Sequence, residues 1–362
     1  MKQDTQPLVP EHWTAVLQTP PPALPQTLVA DILAEKYGLC GSLKRLDSER
    51  DQNFLLELAD GAKCLFKVSN RAEDPEVTHF QTHAFLHVEK QDPTFPVSKV
   101  LKSLDGAAEN RILFEGVWHI VRLFSWIEGI PLSAVPSEQR PDNPELLGDL
   151  LARLALALKD YQHPASDYVL LYDARHAASL APFLAYIEDQ SLHRRVQKSM
   201  DRFQQTVLPL LNQLPLQVVF NDLSPRNYIV NPANLAQVNG LIDFGDMVRT
   251  PRIVDIATAC VYWLDASSNP LGRVARFVAS YHKRSPLQQR EIELLLDLMR
   301  TRAMILPLIY HWRANMFPEN REYIMHNLPQ ARRVLETLAG MDVEQASTQF
   351  LRACTPANGT SL

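Results

Sequence analysis

The sequence predicts an α+β fold in two lobes: a small antiparallel β-sheet carrying one helix, then a larger, mostly helical lobe that holds a β-hairpin. Three observations predict it. Short alternating segments separated by turn signals fill residues 42–128, helical periodicity dominates beyond Gly129, and an apolar β-rich island interrupts the helices at 218–247. With 362 residues, 46% hydrophobic and 21% charged, the chain can bury a large core and is long enough for two units.

Residues 1–25 hold six prolines (Pro7, Pro10, Pro20, Pro21, Pro22 and Pro25), a composition that predicts an extended surface arm. The folded part then starts near Gln26, where Leu28, Val29, Ile32 and Leu33 recur at helical spacing and Gly38 supplies a left-handed stop. Strand-like segments follow in SLKRLD, NFLLELA and KCLFKVS, with Asp60-Gly61 as the hairpin turn between the last two. From Pro75 to Lys90 the period becomes helical, with Val77, Phe80, Ala84, Phe85 and Val88 on one side. The apolar strands RILFEGV and HIVRLFSWI complete the small sheet. Beyond Gly129, PELLGDLLARLALALKDY is strongly amphipathic, residues 181–214 keep a long apolar period, and helix resumes from Pro251 to about Met341. The expected division is an arm at 1–25, an N-lobe at 26–128, a C-lobe at 129–345 and a tail at 346–362.

A net charge of −5 gives no electrostatic reason to expect nucleic acid or an anionic membrane as partner. Four cysteines lie far apart with no C-x-x-C pair. There is no apolar signal core and no run of about 18 apolar residues. These features together predict a cytoplasmic protein. Only 12 glycines are present, so a glycine-rich nucleotide loop is not expected.

The β-rich island, VVFNDLSPRNYIVNPANLAQVNGLIDFGDM, carries the chemistry. Apolar strands run into two polar turns, and an aspartate at the end of an apolar strand is costly unless it is paired or metal-bound. Phosphoryl transfer to an alcohol needs a carboxylate to take the hydroxyl proton and oxygen ligands for magnesium on the phosphates. D-L-S-P-R-N followed by D-F-G supplies both in the order of kinase catalytic loops. Asp222 would be the base, and Asn227 and Asp243 the magnesium ligands. If the two segments were only turns, the same residues would serve as turn formers.

This stretch resembles the aminoglycoside phosphotransferase/choline kinase superfamily, whose loop reads H-G-D-x-x-x-x-N and whose metal turn reads I-D-F/W-G/E-D. IDFGDMVRTPRIVDIA, SERDQNF, FKVSN and PENREYIMHN are similar to its hydroxylysine kinase-like branch. The resemblance spans residues 26–340 and implies a protein kinase-like bilobal fold, magnesium, and ATP or GTP, the branch being associated with GTP. It implies a small-molecule kinase for the hydroxyl of a small amine or amino acid such as 5-hydroxylysine. The acceptor could equally be an aminoglycoside, choline or homoserine, and a catalytically weakened nucleotide-binding regulatory protein is a further alternative.

Within that frame Lys67, projecting to the lobe junction by strand alternation, would hold the phosphates. The family's helix carboxylate that pairs this lysine is replaced by Gln81, which could hydrogen-bond Lys67 without neutralising it. The turn at 48–53 would cover the phosphates through Ser48, Arg50, Gln52 and Asn53. Backbone groups near Ser125 and Ile127, in the hinge before Gly129, would meet the purine. Phe220 and Asn221 stand where the family has histidine and glycine, so Phe220 must brace the loop by packing. Arg226 would either stabilise transferring phosphate or pair with an acid. Asp246 is the first acid for an acceptor ammonium, Arg249 and Arg252 could meet a carboxylate, and Trp126 and Trp312 could wall the pocket. Asp255 would cap or brace a helix. His79, His83 and His87 recur every four residues, but without a fourth ligand they read as a surface or junction stripe.

Overall fold

The computed structural model describes residues 9–264 and 268–355. Its first element departs from the expected extended arm. Helix α1 (Glu11–Gln18) lies between Pro10 and the run Pro20–Pro22, because EHWTAVLQ contains no breaker and prolines are tolerated just outside a helix. The segment is docked rather than free: Leu24 is buried, and the Gln52 side-chain amide bonds both its N–H (2.9 Å) and its carbonyl (3.0 Å). Residues 1–8 of the arm lie outside the described residues.

Helix α2 (Gln26–Ile32) runs on to Tyr37 and stops at Gly38 with φ +66°. The sheet follows as β1 (Gly41–Leu46), β2 (Gln52–Leu58) and β3 (Lys63–Val68), with Gly61 at φ +84° in the expected hairpin turn. Helix α3 (Pro75–Gln91) is capped by Asp74, whose carboxylate accepts from the Glu76 N–H. Strands β4 (Val100–Leu101), β5 (Asn110–Phe114) and β6 (Val117–Ser125) complete an antiparallel sheet of order β1-β2-β3-β6, with β4 and β5 both pairing with β6.

Alternation sorts this sheet into two buried faces, where one helix was expected to cover only one. Phe54, Phe66, Val68, Val121 and Leu123 pack with Val29, Ile32 and Leu33 of α2 and its continuation, while Phe124 meets Phe85 of α3. Lys67 and Arg122, paired across β3 and β6, lie on the α3 side.

The chain leaves the sheet through residues 126–129. Gly129 sits at φ +132°, and a Cβ there would come within 2.4 Å of the Val230 carbonyl oxygen. The C-lobe begins with β7 (Ile130–Pro131) and α4 (Pro144–Ala157), then α5 (Gln190–Arg202) and α6 (Leu208–Leu211). The island forms β8 (Leu216–Val219), β9 (Tyr228–Asn231), β10 (Asn234–Leu241) and β11 (Val248–Pro251). The β9-β10 hairpin is joined by β7, and β11 pairs with β8. Helices α7 (Arg252–Cys260), α8 (Gly272–Arg284), α9 (Gln289–Met316), α10 (Arg321–Met325) and α11 (Leu328–Ala339) follow. Helix α9 is buried around most of its circumference and forms the centre of the lobe.

The boundary expected at residue 345 cuts through α12 (Val343–Cys354), which packs on α8 and α9. Ala346 and Phe350 fall four residues apart on its buried face. Residues 356–362 lie outside the described residues. Among the described residues no helix is long and apolar enough to cross a membrane. Phe350→Ala should lower unfolding free energy by about 3–5 kcal/mol, measured by denaturant titration. An unchanged midpoint would show that α12 contributes nothing to the core.

Candidate active site

The loop between β8 and β9 begins with the buried strand VVF and turns sharply at Asn221, which adopts φ +63°. Asparagine is one of the few side chains that tolerate this left-handed geometry, so it serves where the family has glycine. The turn is pinned from below by Asp255 of α7, whose carboxylate accepts from the N–H groups of Asn221 (2.8 Å) and Phe220. The brace expected of Asp255 is therefore directed at this loop. Burial pushes its carboxyl up to about 7, against the pull of those two donors.

Asp222 follows the turn. The Asn227 side-chain amide donates to the Asp222 carbonyl (3.0 Å) and to its carboxylate Oδ2 (2.6 Å), which leaves Asn227 Oδ1 as the atom for a cation. At the end of β10, Asp243 also takes a left-handed conformation (φ +62°), and its Oδ1 accepts from the Gly245 N–H at 3.1 Å. Phe244 is buried between Phe220 (ring centroids 5.1 Å apart) and Phe85 (4.1 Å), and Phe85 meets Phe124 at 5.0 Å. The expected bracing by packing at Phe220 is thus one end of an aromatic column running into the N-lobe.

Burial, then the neighbouring Asp246 and Asp243 carboxylates, push Asp222 up to about 7, while Arg302 opposes them. Arg302 of α9 is buried, and its Nη2 lies 3.5 Å from Asp222 Oδ1. Asp222 feels the charge of Asp246 and Asp243, and carboxylate oxygen at Asp243 with amide oxygen at Asn227 is a hard donor set of the kind a divalent cation such as magnesium takes.

Across the cleft, Lys67 Nζ pairs with Asp51 Oδ2 at 3.3 Å. Burial alone would raise Asp51, but Lys67 and Arg122 outweigh it and hold the carboxyl below its ordinary range. Gln81 does not bond Lys67. Its Oε1 accepts from Arg122 Nη1 (3.3 Å) and its Nε2 faces the Gly245 carbonyl (3.4 Å). A carboxamide presents both a donor and an acceptor, and here it links Arg122 to the Asp243–Gly245 turn. Ser48, Arg50, Asn53, Lys67, Gln81 and Asp243 line one cleft of about 100 Å³.

Several expected roles fail on geometry. Gln52 is spent on Leu24. Ser125 uses its N–H and hydroxyl on Lys99, the Trp126 N–H donates to the Lys63 carbonyl, and Trp126 is not among the residues lining the cleft beside Gly245. The expectation at Ile127 does not fail: among the described residues its backbone makes no hydrogen bond and is free to meet a ligand. Arg226 is exposed and bonds Asn327. Arg249 pairs with Asp167 at the surface, and Arg252 grips Glu291 through two bonds. Trp312 stacks on Phe183 at 4.8 Å in the core. Asp246 is already paired, with Arg50 at 2.5 Å, and beside it Glu49 reaches Arg313 of α9. Sequence reading passed over Asp51, Glu73, Arg122 and Arg302. A buried arginine inside the apolar run HIVRLFSWI, directly across from Lys67, was a signal available for Arg122.

A model of the phosphotransferase enzyme family matches residues 42–291, which takes in the N-lobe sheet, the loop of Asp222 and Asn227 and the turn of Asp243. The chain belongs to that family. Its curated relatives include hydroxylysine kinase of Mus musculus, 23% identical over 78% of this chain and 80% of the relative. Hydroxylysine kinase of Danio rerio is 23% identical over 92% and 96% respectively. Among solved structures, amicoumacin kinase in complex with AMP-PNP, Ca2+ and Ami aligns with a TM-score of 0.66 at 15% identity over 89% of this chain and 97% of that one. A microcompartment-associated aminopropanol kinase aligns at 0.61 and 16%, over 91% and 95%. These structural likenesses show the kinase-like bilobal fold. Family membership makes the protein a small-molecule phosphotransferase acting on hydroxyl groups.

Replacing Arg302 by methionine removes the cation beside Asp222, so the carboxylate is less stabilised and protonates at higher pH. The acid limb of the kcat/KM profile should shift upward, whereas Arg226→Met should leave it in place. A shift in the Arg226 variant alone would reverse the two assignments.

Proposed function

We propose that this phosphotransferase transfers the γ-phosphate of ATP or GTP, with magnesium, to the hydroxyl of a small amine or hydroxylated amino acid, with 5-hydroxylysine the leading acceptor. The observation that carries the reading is Asp222, held by Asn227 and within reach of the Asp243 charge, while Asp243 and Lys67 line one polar cleft. The hydroxylysine kinases supply the acceptor class, since they match along most of this chain.

In this reading Asp222 Oδ1, the oxygen not bonded by Asn227, receives the acceptor hydroxyl proton as the oxygen–phosphorus bond forms and nucleoside diphosphate leaves. Asp243 and Asn227 Oδ1 would hold the magnesium, which when bound offsets charge on the phosphate oxygens. Lys67 and Arg50 reach the phosphates from the N-lobe side, under the turn carrying Ser48 and Asn53. Side chains replace glycine backbone there, in keeping with the low glycine content. The hinge at 126–129 divides the nucleotide-binding N-lobe from the catalytic C-lobe. Purine contact falls to the unbonded backbone of Ile127, which packs where Gly240 leaves room for it.

On the acceptor side a second cleft, of about 240 Å³, opens beside Gly245. Trp13 of α1, Val77, Tyr168, Leu170 and Tyr172 give it apolar and aromatic walls, and Glu73 an acid. Such a lining accommodates an alkyl chain ending in an ammonium group. For Asp246 to take the ammonium it must release Arg50, which frees that arginine for phosphate. The four free cysteines, Cys40, Cys64, Cys260 and Cys354, fit the reducing cytoplasm.

Screening hydroxylysine, choline, ethanolamine, homoserine and aminoglycosides with ATP and GTP for nucleoside diphosphate release tests the acceptor. Hydroxylysine should give the highest kcat/KM. Asp222→Asn should lower its turnover by about 10²–10⁴-fold with nucleotide binding retained. Full turnover in that variant would overturn the assignment of the base.

A further inference from the structure

The histidine stripe of α3 does not stay a stripe in three dimensions. His87 leaves it to lie against Tyr161, with ring centroids 5.0 Å apart. His79 is met by His163, which the C-lobe brings from 84 positions along the chain to place Nε2 2.8 Å from His79 Nδ1. The Ala165 N–H donates to His163 Nδ1 at 3.1 Å, so that nitrogen carries no proton. In the neutral ring the proton is on Nε2 and is donated to His79 Nδ1, which aims the His79 lone pair at its partner.

Glu76 precedes His79 by three residues and shares its helix face. One ligand atom from each of Glu76, His79 and His163 lies within 4.8 Å of the others. His83 stands one turn further along, its ring centroid 4.0 Å from that of His79. We propose that Glu76, His79 and His163 form a binding site for a divalent transition metal of the zinc class at the joint between the lobes, with His83 or water completing the coordination.

Two imidazoles and a carboxylate suit zinc, cobalt(II) or nickel far better than magnesium, which demands oxygen. The metal takes the space of the shared proton. That proton moves to Nδ1 of His163, which gives up the hydrogen bond from Ala165, and both rings remain neutral. Occupancy ties α3, which carries Gln81, to the C-lobe segment ending at Tyr168, whose hydroxyl donates to the Met247 carbonyl at 2.8 Å. This joint is distinct from the site of Asp222, Asn227 and Asp243.

The test is cobalt(II) titration of chelator-treated, dialysed full-length protein without nucleotide or magnesium, followed by visible absorption. The wild type should develop the band of four- or five-coordinate cobalt at one equivalent, and zinc should displace it. The band should be lost in His79→Gln and weakened in Glu76→Gln, whose exposed side chain makes the latter safe for folding. It should persist in Asp243→Asn, which removes an oxygen of the catalytic cleft. Kinase activity of Glu76→Gln, assayed with magnesium but without added cobalt or zinc, should equal that of wild type. No band in the wild type, a band indifferent to both α3 substitutions, or one abolished by Asp243→Asn would overturn the site.

Discussion

Burial of the Asp222 carboxylate beside Asp246 and Asp243 is the constraint that the rest of the structure answers. Burial and proximity push Asp222 up to about 7, so the charged cleft is held together by what surrounds it. Backbone rigidity provides part of the restraint: Asn221 and Asp243 occupy left-handed conformations, and Asp255 fixes the first of these turns through two N–H bonds. The aromatic column Phe220–Phe244–Phe85–Phe124 provides another part, linking the catalytic loop to α3 and the sheet by apolar contact instead of charge. Arginines supply the remaining compensation from outside the motif, Arg302 at Asp222 and Arg50 at Asp246.

The N-lobe meets the same problem with the opposite sign. Lys67 and Arg122 are cross-strand neighbours, two cations on one face of the sheet. A carboxylate on α3 could reach one of them, but Gln81 occupies that position and bridges Arg122 to Gly245. The neutralising charge comes from Asp51, in the turn between β1 and β2. The same turn sends Glu49 to Arg313 and Arg50 to Asp246, so three consecutive residues couple it to its own lobe and to the C-lobe. The turn is thereby held to both lobes through ion pairs, in a loop that lacks the backbone freedom of glycine.

Elements with a regular period or a turn signature were legible. The strands at Gly41–Leu46, Gln52–Leu58 and Lys63–Val68, the Asp60-Gly61 hairpin and the amphipathic α3 lie where alternation and spacing put them. Proline content misled at the N-terminus, because prolines bound α1 rather than filling it. The end of the fold was set too early because α12 buries only a few side chains, Ala346 and Phe350 foremost, and that leaves a weak apolar signal.

At the candidate site, D-L-S-P-R-N and D-F-G stand out in the sequence because the single β9-β10 hairpin separates them, so its pairing sets Asn227 and Asp243 at its two ends. Residues assigned by nearness in sequence fared worse: Arg226, Arg249 and Arg252 all point to partners elsewhere. Arg302 and His163 reach their partners only across 80 and 84 residues, and Asp51 meets Lys67 only because β2 and β3 pair. The sequence by itself determined the family of fold and the local geometry of the two turns that hold Asp222, Asn227 and Asp243, since local hydrogen bonding and strand geometry act over a few residues. Only the tertiary structure decided which charges compensate them, because a buried charge is satisfied by whatever packing brings within reach, and sequence distance carries no memory of that.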